Sequence, residues 1–144
     1  MQNEMLGNKY FMQRNYLLAR SNYEYVLRTD PSNKAIKKKL IICYSQSGKI
    51  KEAFKHFLEL AIVDINFIID TDPNKDDCPC ADLIGKFDKI YPYEENSTDM
   101  KLMLGMLWLY CDKTKSLRFF KTLNKENPEC EDYPEVIKLI ENSN

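Results

Sequence analysis

The sequence is poor in residues that make tight turns: 144 residues hold four glycines and six prolines. A β-sandwich or barrel needs a turn every ~8–12 residues, so this scarcity argues against both. A surplus of charge is also missing, with 21 Lys and Arg against 22 Asp and Glu, which disfavours nucleic-acid binding driven by bulk charge. No apolar run approaches the ~18 residues of a membrane span, and the leading MQNEMLGNKYFMQRNY lacks the basic-then-apolar pattern of an export signal. What is present is 44% hydrophobic and 30% charged residues, enough for a core and a wet surface, so disorder is disfavoured too. The expectation is a single all-α domain over residues 1–144. Its five cysteines, Cys43, Cys78, Cys80, Cys111 and Cys130, read as reduced thiols of a cytoplasmic protein, the buried ones acting as small hydrophobes.

A period of 34 residues organises the first half: Leu6 recurs as Leu40, Tyr10 as Tyr44, Ala19 as Ala53 and Tyr23 as Phe57. Gly7 and Ala19 are small where two antiparallel helices must approach, and Tyr10 and Tyr23 are large enough to fill the layer between them. Gly48 suits a left-handed residue closing a helix, and Asp30-Pro31 stops one because the residue before proline is pushed out of the α region. Helices are predicted near residues 2–13, 16–29, 34–47 and 50–69, the first without a capping residue. The last of them runs past the point where repeat one ends, because IKEAFKHFLELAIVDINFII keeps helical spacing and contains no proline. After the breaker DTDPNKDDCPC, a short inserted helix over 81–91 is expected to pack on that extended end and to stop before Pro92.

A degenerate third copy starts at Leu104-Gly105 and places Ser116, Phe120 and Pro128 in the later slots, one residue short, most easily lost in the turn at 111–114. Ser97 is its N-cap, with Asp99 in the first turn. A last helix near 133–141 serves as the capping element a repeat array needs.

These residues, Leu6-Gly7-x-x-Tyr10, then Ala19-x-x-x-Tyr23, then Pro31, resemble the tetratricopeptide repeat pattern. The second copy departs from it with Ile41 for Gly and Ile65 for Pro. The resemblance implies an α-α superhelix of helical hairpins, with repeat one at 1–33, repeat two at 34–69, an insertion at 70–96, repeat three at 97–128 and a capping helix at 131–142. It also implies a non-enzymatic interaction module that grips a peptide or partner helix in a concave groove lined by the first helix of each repeat. The groove-facing slots here hold Glu4, Met5, Asn8, Phe11 and Met12, then Lys38, Lys39, Ile42, Ser45 and Gln46. The binding residues expected among them are Asn8, Phe11, Met12, Lys38, Lys39, Ile42, Ser45 and Gln46. Family members that hold the C-terminal carboxylate of heat-shock chaperones use slots occupied here by Glu4, Asn8, Lys39, Asp99 and Met103. Only Asn8 agrees, so that activity does not carry over.

The run Lys34-Ala-Ile-Lys37-Lys38-Lys39 sits at a helix N-terminus, where positive charge opposes the macrodipole by about 0.3–1 kcal/mol per exposed charge. An acidic protein or peptide partner would justify keeping it; a plain solvated face is the other reading. His56, the one histidine, reads as a surface or half-buried helix residue without a catalytic partner. Asp70-x-Asp72-x-Asn74-x-Asp76 opens like a calcium loop, then has Lys75 where glycine is needed and Ala81 where the bidentate Glu belongs. Cys78-Pro79-Cys80 is too close-spaced for a zinc pair, and a disulfide across one residue is strained. Met100, Met103 and Met106 read as core. No cofactor or metal is implied. Two rivals to the peptide-binding module remain: an oligomerising subunit using 50–69 and 81–91, and a metal or thiol switch at 70–80.

Overall fold

The computed structural model describes residues 3–76, 78–91 and 97–144. Among them are eight helices and no strand, so the fold is all-α. The chain forms two compact units, Met1–Leu60 and Ala61–Asn144. The first contains α1 (Glu4–Met12), α2 (Tyr16–Thr29), α3 (Lys34–Gln46) and the start of α4 (Ile50–Ile69). There α1 packs on α2 and α2 on α3. An ion pair from Lys37 to Glu59 at 2.6 Å and a stack of Tyr44 on His56 tie α3 to α4. The second unit contains the end of α4, α5 (Cys80–Asp88), α6 (Thr98–Leu109), α7 (Lys113–Glu126) and α8 (Asp132–Glu141). In it α5 packs on α6, α6 on α7 and α7 on α8.

The 34-residue period is written into the backbone. Gly48 adopts φ 74° and Arg14, 34 positions earlier, φ 60°. Each is followed by the same closing bond, Asn15 N to Tyr10 O at 2.8 Å and Lys49 N to Tyr44 O at 2.9 Å. These six-residue bonds are what a left-handed residue after a helix makes available. Arginine fits that conformation less well than glycine, so the turn and not the residue type is what recurs. The third hairpin closes differently, with Cys111 N and Asp112 N both donating to Trp108 O, at 2.9 and 2.6 Å. The residue missing from the third copy is thus the left-handed one, and an ordinary helical turn takes its place.

The helix ends recur as well. Asp30, before Pro31, leaves the helix with φ −140°, ψ 73°, and Asn127, before Pro128, with φ −131°, ψ 66°. Asp64 stands 34 positions after Asp30 and interrupts α4 with φ −163°, ψ 80°. The helix expected over 50–69 has those bounds, but it is kinked at Asp64, the position where repeat one ends, and about one further turn follows. Aspartate competes with helix geometry through its short carboxylate, so the exit survives without proline.

Small residues sit at the close approaches. A methyl group on Gly7 would come within 2.7 Å of the Tyr23 ring, and one on Gly105 within 3.2 Å of Phe120. Ala19, Ala53 and Ser116 are all fully buried, and Ser116 Oγ donates to Gly105 O at 2.6 Å across its hairpin. Tyr23, Phe57 and Phe120 fill the neighbouring slot with no exposure.

Capping explains most starts. Ser97 accepts from Met100 N, as its sequence position suggests, and Asn15 and Asn33 cap α2 and α3 in the same manner. Contrary to expectation α1 is capped too, by Asn3, whose side chain accepts from Leu6 N at 2.7 Å. The inserted helix ends three residues earlier than predicted, at Asp88, because the chain tightens so that Ile90 N bonds Phe87 O. It packs on α6; Pro92, read as its stop, lies outside the described residues. Helix α8 covers α7 with Tyr133, Val136 and Ile140 buried.

Candidate functional site

The first unit brings three of the sequence-predicted residues together. Asn8 Oδ1 accepts from Tyr23 OH at 2.7 Å and from Lys39 Nζ at 3.1 Å, and the same ammonium lies 5.7 Å from the centre of the Phe11 ring. Asn8 is thereby fixed as a double acceptor, and Lys39 is anchored to α1 across from its own helix. Around them the exposure of the other predicted residues varies. Phe11 is buried against Tyr16 and Tyr23, and Lys38, Ile42 and Ser45 are buried as well, Ser45 donating to Ile42 O. Gln46 is half-buried, and Met12 is 65% exposed. Met5, expected in a groove-facing slot, is 82% exposed.

Met5 and Met12 are seven residues apart and so point the same way, about 10 Å apart along the helix. With Asn8, Lys9 and Gln13 they line a shallow depression on α1. Two large apolar side chains left in water on one helix face, with Lys9 between them and Lys39 behind Asn8, form a surface that combines apolar contact with positive charge. The wider unit has the same sign. Residues 1–60 carry eleven Lys and Arg against five Asp and Glu, and residues 61–144 carry ten against seventeen. The near-neutral total conceals this separation.

Not all of the lysine run faces outward. Lys37 donates to Glu59, and that bond holds the Glu59 carboxyl below its usual range. A cluster that the sequence did not reveal lies close by. Tyr44 OH donates to Glu24 Oε2 at 2.7 Å, Arg20 lies 5.9 Å from the Tyr44 ring centre, and His56 stacks on that ring at 5.3 Å. Burial, then the bond to Glu24, keeps the Tyr44 proton on well above the ordinary phenol range. The buried Nδ1 of His56 has no hydrogen-bond partner among the described residues. Burial lowers the His56 pKa, against the opposing pull of Glu59 and with a smaller push from Lys37.

This sets a pH dependence. An imidazole whose folded pKa lies below the unfolded value of about 6.5 binds its proton more readily in the unfolded chain. Stability should therefore fall as pH drops through 6.5 toward the folded value. Denaturant midpoints measured between about pH 7.5 and 5.5 check this. His56→Phe, which keeps a ring against Tyr44, should flatten the slope in that window. The loss associated with Glu59 comes in a lower window, below its ordinary value near 4.5.

Asp72 Oδ1 accepts from Asn74 N and Lys75 N, and Asp72 N donates to Asp76 Oδ2, so these carboxylates tie up their own turn. Cys78 and Cys80, expected as free thiols, are joined in a disulfide, their Cα atoms 5.4 Å apart. The turn at Pro79 brings the two into the ordinary bridging range. No helix among the described residues is long and apolar enough to cross a membrane. Compared with protein-family models, with curated proteins and with solved structures, the chain finds no match.

Proposed function

We propose that the protein is a non-enzymatic interaction module of the tetratricopeptide type, and that its first unit takes an acidic peptide or partner helix on the α1 face around Met5, Asn8, Met12 and Lys39. The observation that carries this is the exposed Met5 and Met12 pair beside Lys9 and the anchored Lys39, on a unit with an excess of positive charge. Recurrence of the turn at Arg14 and Gly48, and of the helix exits at Asp30, Asp64 and Asn127, supports the repeat architecture behind it. Apolar side chains supply most contact energy in such a groove, and the charges choose the partner.

Selection from a displayed peptide library tests the reading. Acidic sequences with two apolar anchors should be enriched. Met5→Asp with Met12→Asp, both at exposed positions, should weaken the selected peptide by about tenfold per site, because burying a methionine is worth about 1.5–3 kcal/mol and 1.4 kcal/mol is tenfold. Basic or uncharged sequences in the enriched pool, or undiminished binding by the double variant, would contradict it. The rival reading as an oligomerising subunit draws on Ile62 and Val63, exposed at 56% and 69%. Light scattering across concentration separates the two.

A further inference from the structure

We propose that Cys78 and Cys80 are a thiol–disulfide exchange site, with Cys78 the exchanging sulfur and Cys80 the resolving one. The site is independent of the α1 surface and exchanges with a dithiol–disulfide couple.

The bridge is badly placed to serve as a structural staple. A disulfide stabilises chiefly by closing a loop in the unfolded chain, and the gain shrinks with the length of that loop. Here the loop is Cys78-Pro79-Cys80, with a single residue between the two cysteines. The segment around it is already held by hydrogen bonds: Asp72 caps the turn at Asn74 and Lys75, Cys78 N donates to Pro73 O, and Leu83 N to Pro79 O. Breaking the S–S bond therefore leaves the local fold its other ties.

The two sulfurs differ in the manner exchange requires. Cys78 is half-buried, whereas Cys80 is 1% exposed. Cys80 is also the first residue of the nine-residue α5, where the positive end of the helix dipole favours a departing thiolate. An incoming thiolate attacks Cys78 Sγ and forms a mixed disulfide. The Cys78–Cys80 bond breaks, and its electron pair leaves on Cys80 Sγ, which takes up the proton that the dithiol's second thiol gives up. The second thiolate of the dithiol then attacks its own sulfur in the mixed disulfide and expels the Cys78 thiolate. The protein pair is reduced by two electrons and the dithiol is oxidised to its disulfide. In reverse, the Cys78 thiolate attacks an external disulfide, and Cys80, two positions on, resolves the mixed bond. The other cysteines are unbridged. Cys43 is buried, its thiol pushed up to about 12, and Cys111 and Cys130 lie well apart in sequence.

The test uses the full chain carrying Cys111→Ser and Cys130→Ser, equilibrated in graded ratios of reduced to oxidised glutathione, then alkylated and mapped by mass spectrometry. The 78–80 pair should pass from dithiol to disulfide as the ratio falls, and dithiothreitol should reverse it without loss of helical signal. A further Cys80→Ser change should trap glutathione on Cys78, several-fold more than Cys78→Ser traps on Cys80. A pair that stays fully alkylated in oxidised glutathione, a bridge that dithiothreitol leaves intact in the folded protein, or equal trapping by the two variants would overturn the proposal. Mapping of the chain with both Cys78 and Cys80 intact decides the first two points even if a serine variant folds poorly.

Discussion

Replacing Gly7 with alanine is expected to destabilise the first unit, although alanine is the better helix former. The gain in propensity is about 1 kcal/mol. Against it, the new methyl would sit 2.7 and 2.8 Å from two carbons of the Tyr23 ring and 3.2 Å from Asn22 Cβ. Tyr23 has no exposure, packs on Phe11 and is held by Asn8, so the ring cannot swing away cheaply. Overpacking of this kind costs about 1–3 kcal/mol, leaving a net loss of up to about 2 for alanine and more for leucine. The same change at Gly85, where none of the described residues lies within 4 Å of the added methyl, should instead stabilise by about 0.5–1 kcal/mol. Gly105 falls between, with 3.2 Å to Phe120 Cε2, and should come out near zero. Urea midpoints for the three alanine variants measure the ordering, and a Gly7→Ala protein as stable as Gly85→Ala would refute it.

The second large effect concerns Lys101, which is 4% exposed and directs its ammonium to both oxygens of Glu126, at 2.6 and 2.9 Å. Glu126→Ala removes the compensation and leaves a buried charge. Loss of one partner of a buried pair costs about 3–5 kcal/mol, and the Glu126 side chain is 46% exposed, so the lower end applies. Lys101→Met should be far milder, because methionine fills a similar volume and the released carboxylate returns to water. Chemical denaturation of both variants should show this asymmetry; equal losses would mean the pair acts through simple attraction and burial is unimportant.

How much of this was legible depends on whether a residue type advertises its backbone. Gly48 and the Asp30-Pro31 pair announce a turn and a stop because only certain residues tolerate those conformations. Arg14 and Asp64 adopt the same two conformations without such a signature, and only the 34-residue register with Gly48 and Asp30 points to them. Of the residues expected to bind, Asn8 and Lys39 meet in the structure and Met12 is exposed. The burial of Lys38, Ile42 and Ser45 could not be foreseen, because α3 is covered on most of its circumference and a helical stripe does not predict that, nor could that of Phe11, which α2 covers with Tyr16 and Tyr23. The cluster of Tyr44, Glu24 and His56 joins residues from three helices, which no local pattern records. Nothing in the spacing of Cys78 and Cys80 announces their bridge, since the turn at Pro79 that closes it is a matter of conformation.

Methyl labelling of the methionines tests the interaction surface most directly. Met5 and Met12 lie on α1, and Met100, Met103 and Met106 lie on α6, the last two largely buried. Titration with an acidic peptide carrying two apolar anchors should shift the Met5 and Met12 methyl resonances, with the effect weakening as salt is raised. The three methyls of α6 should stay in place. Shifts confined to α6, or none at Met5 and Met12 at saturating peptide, would contradict the account.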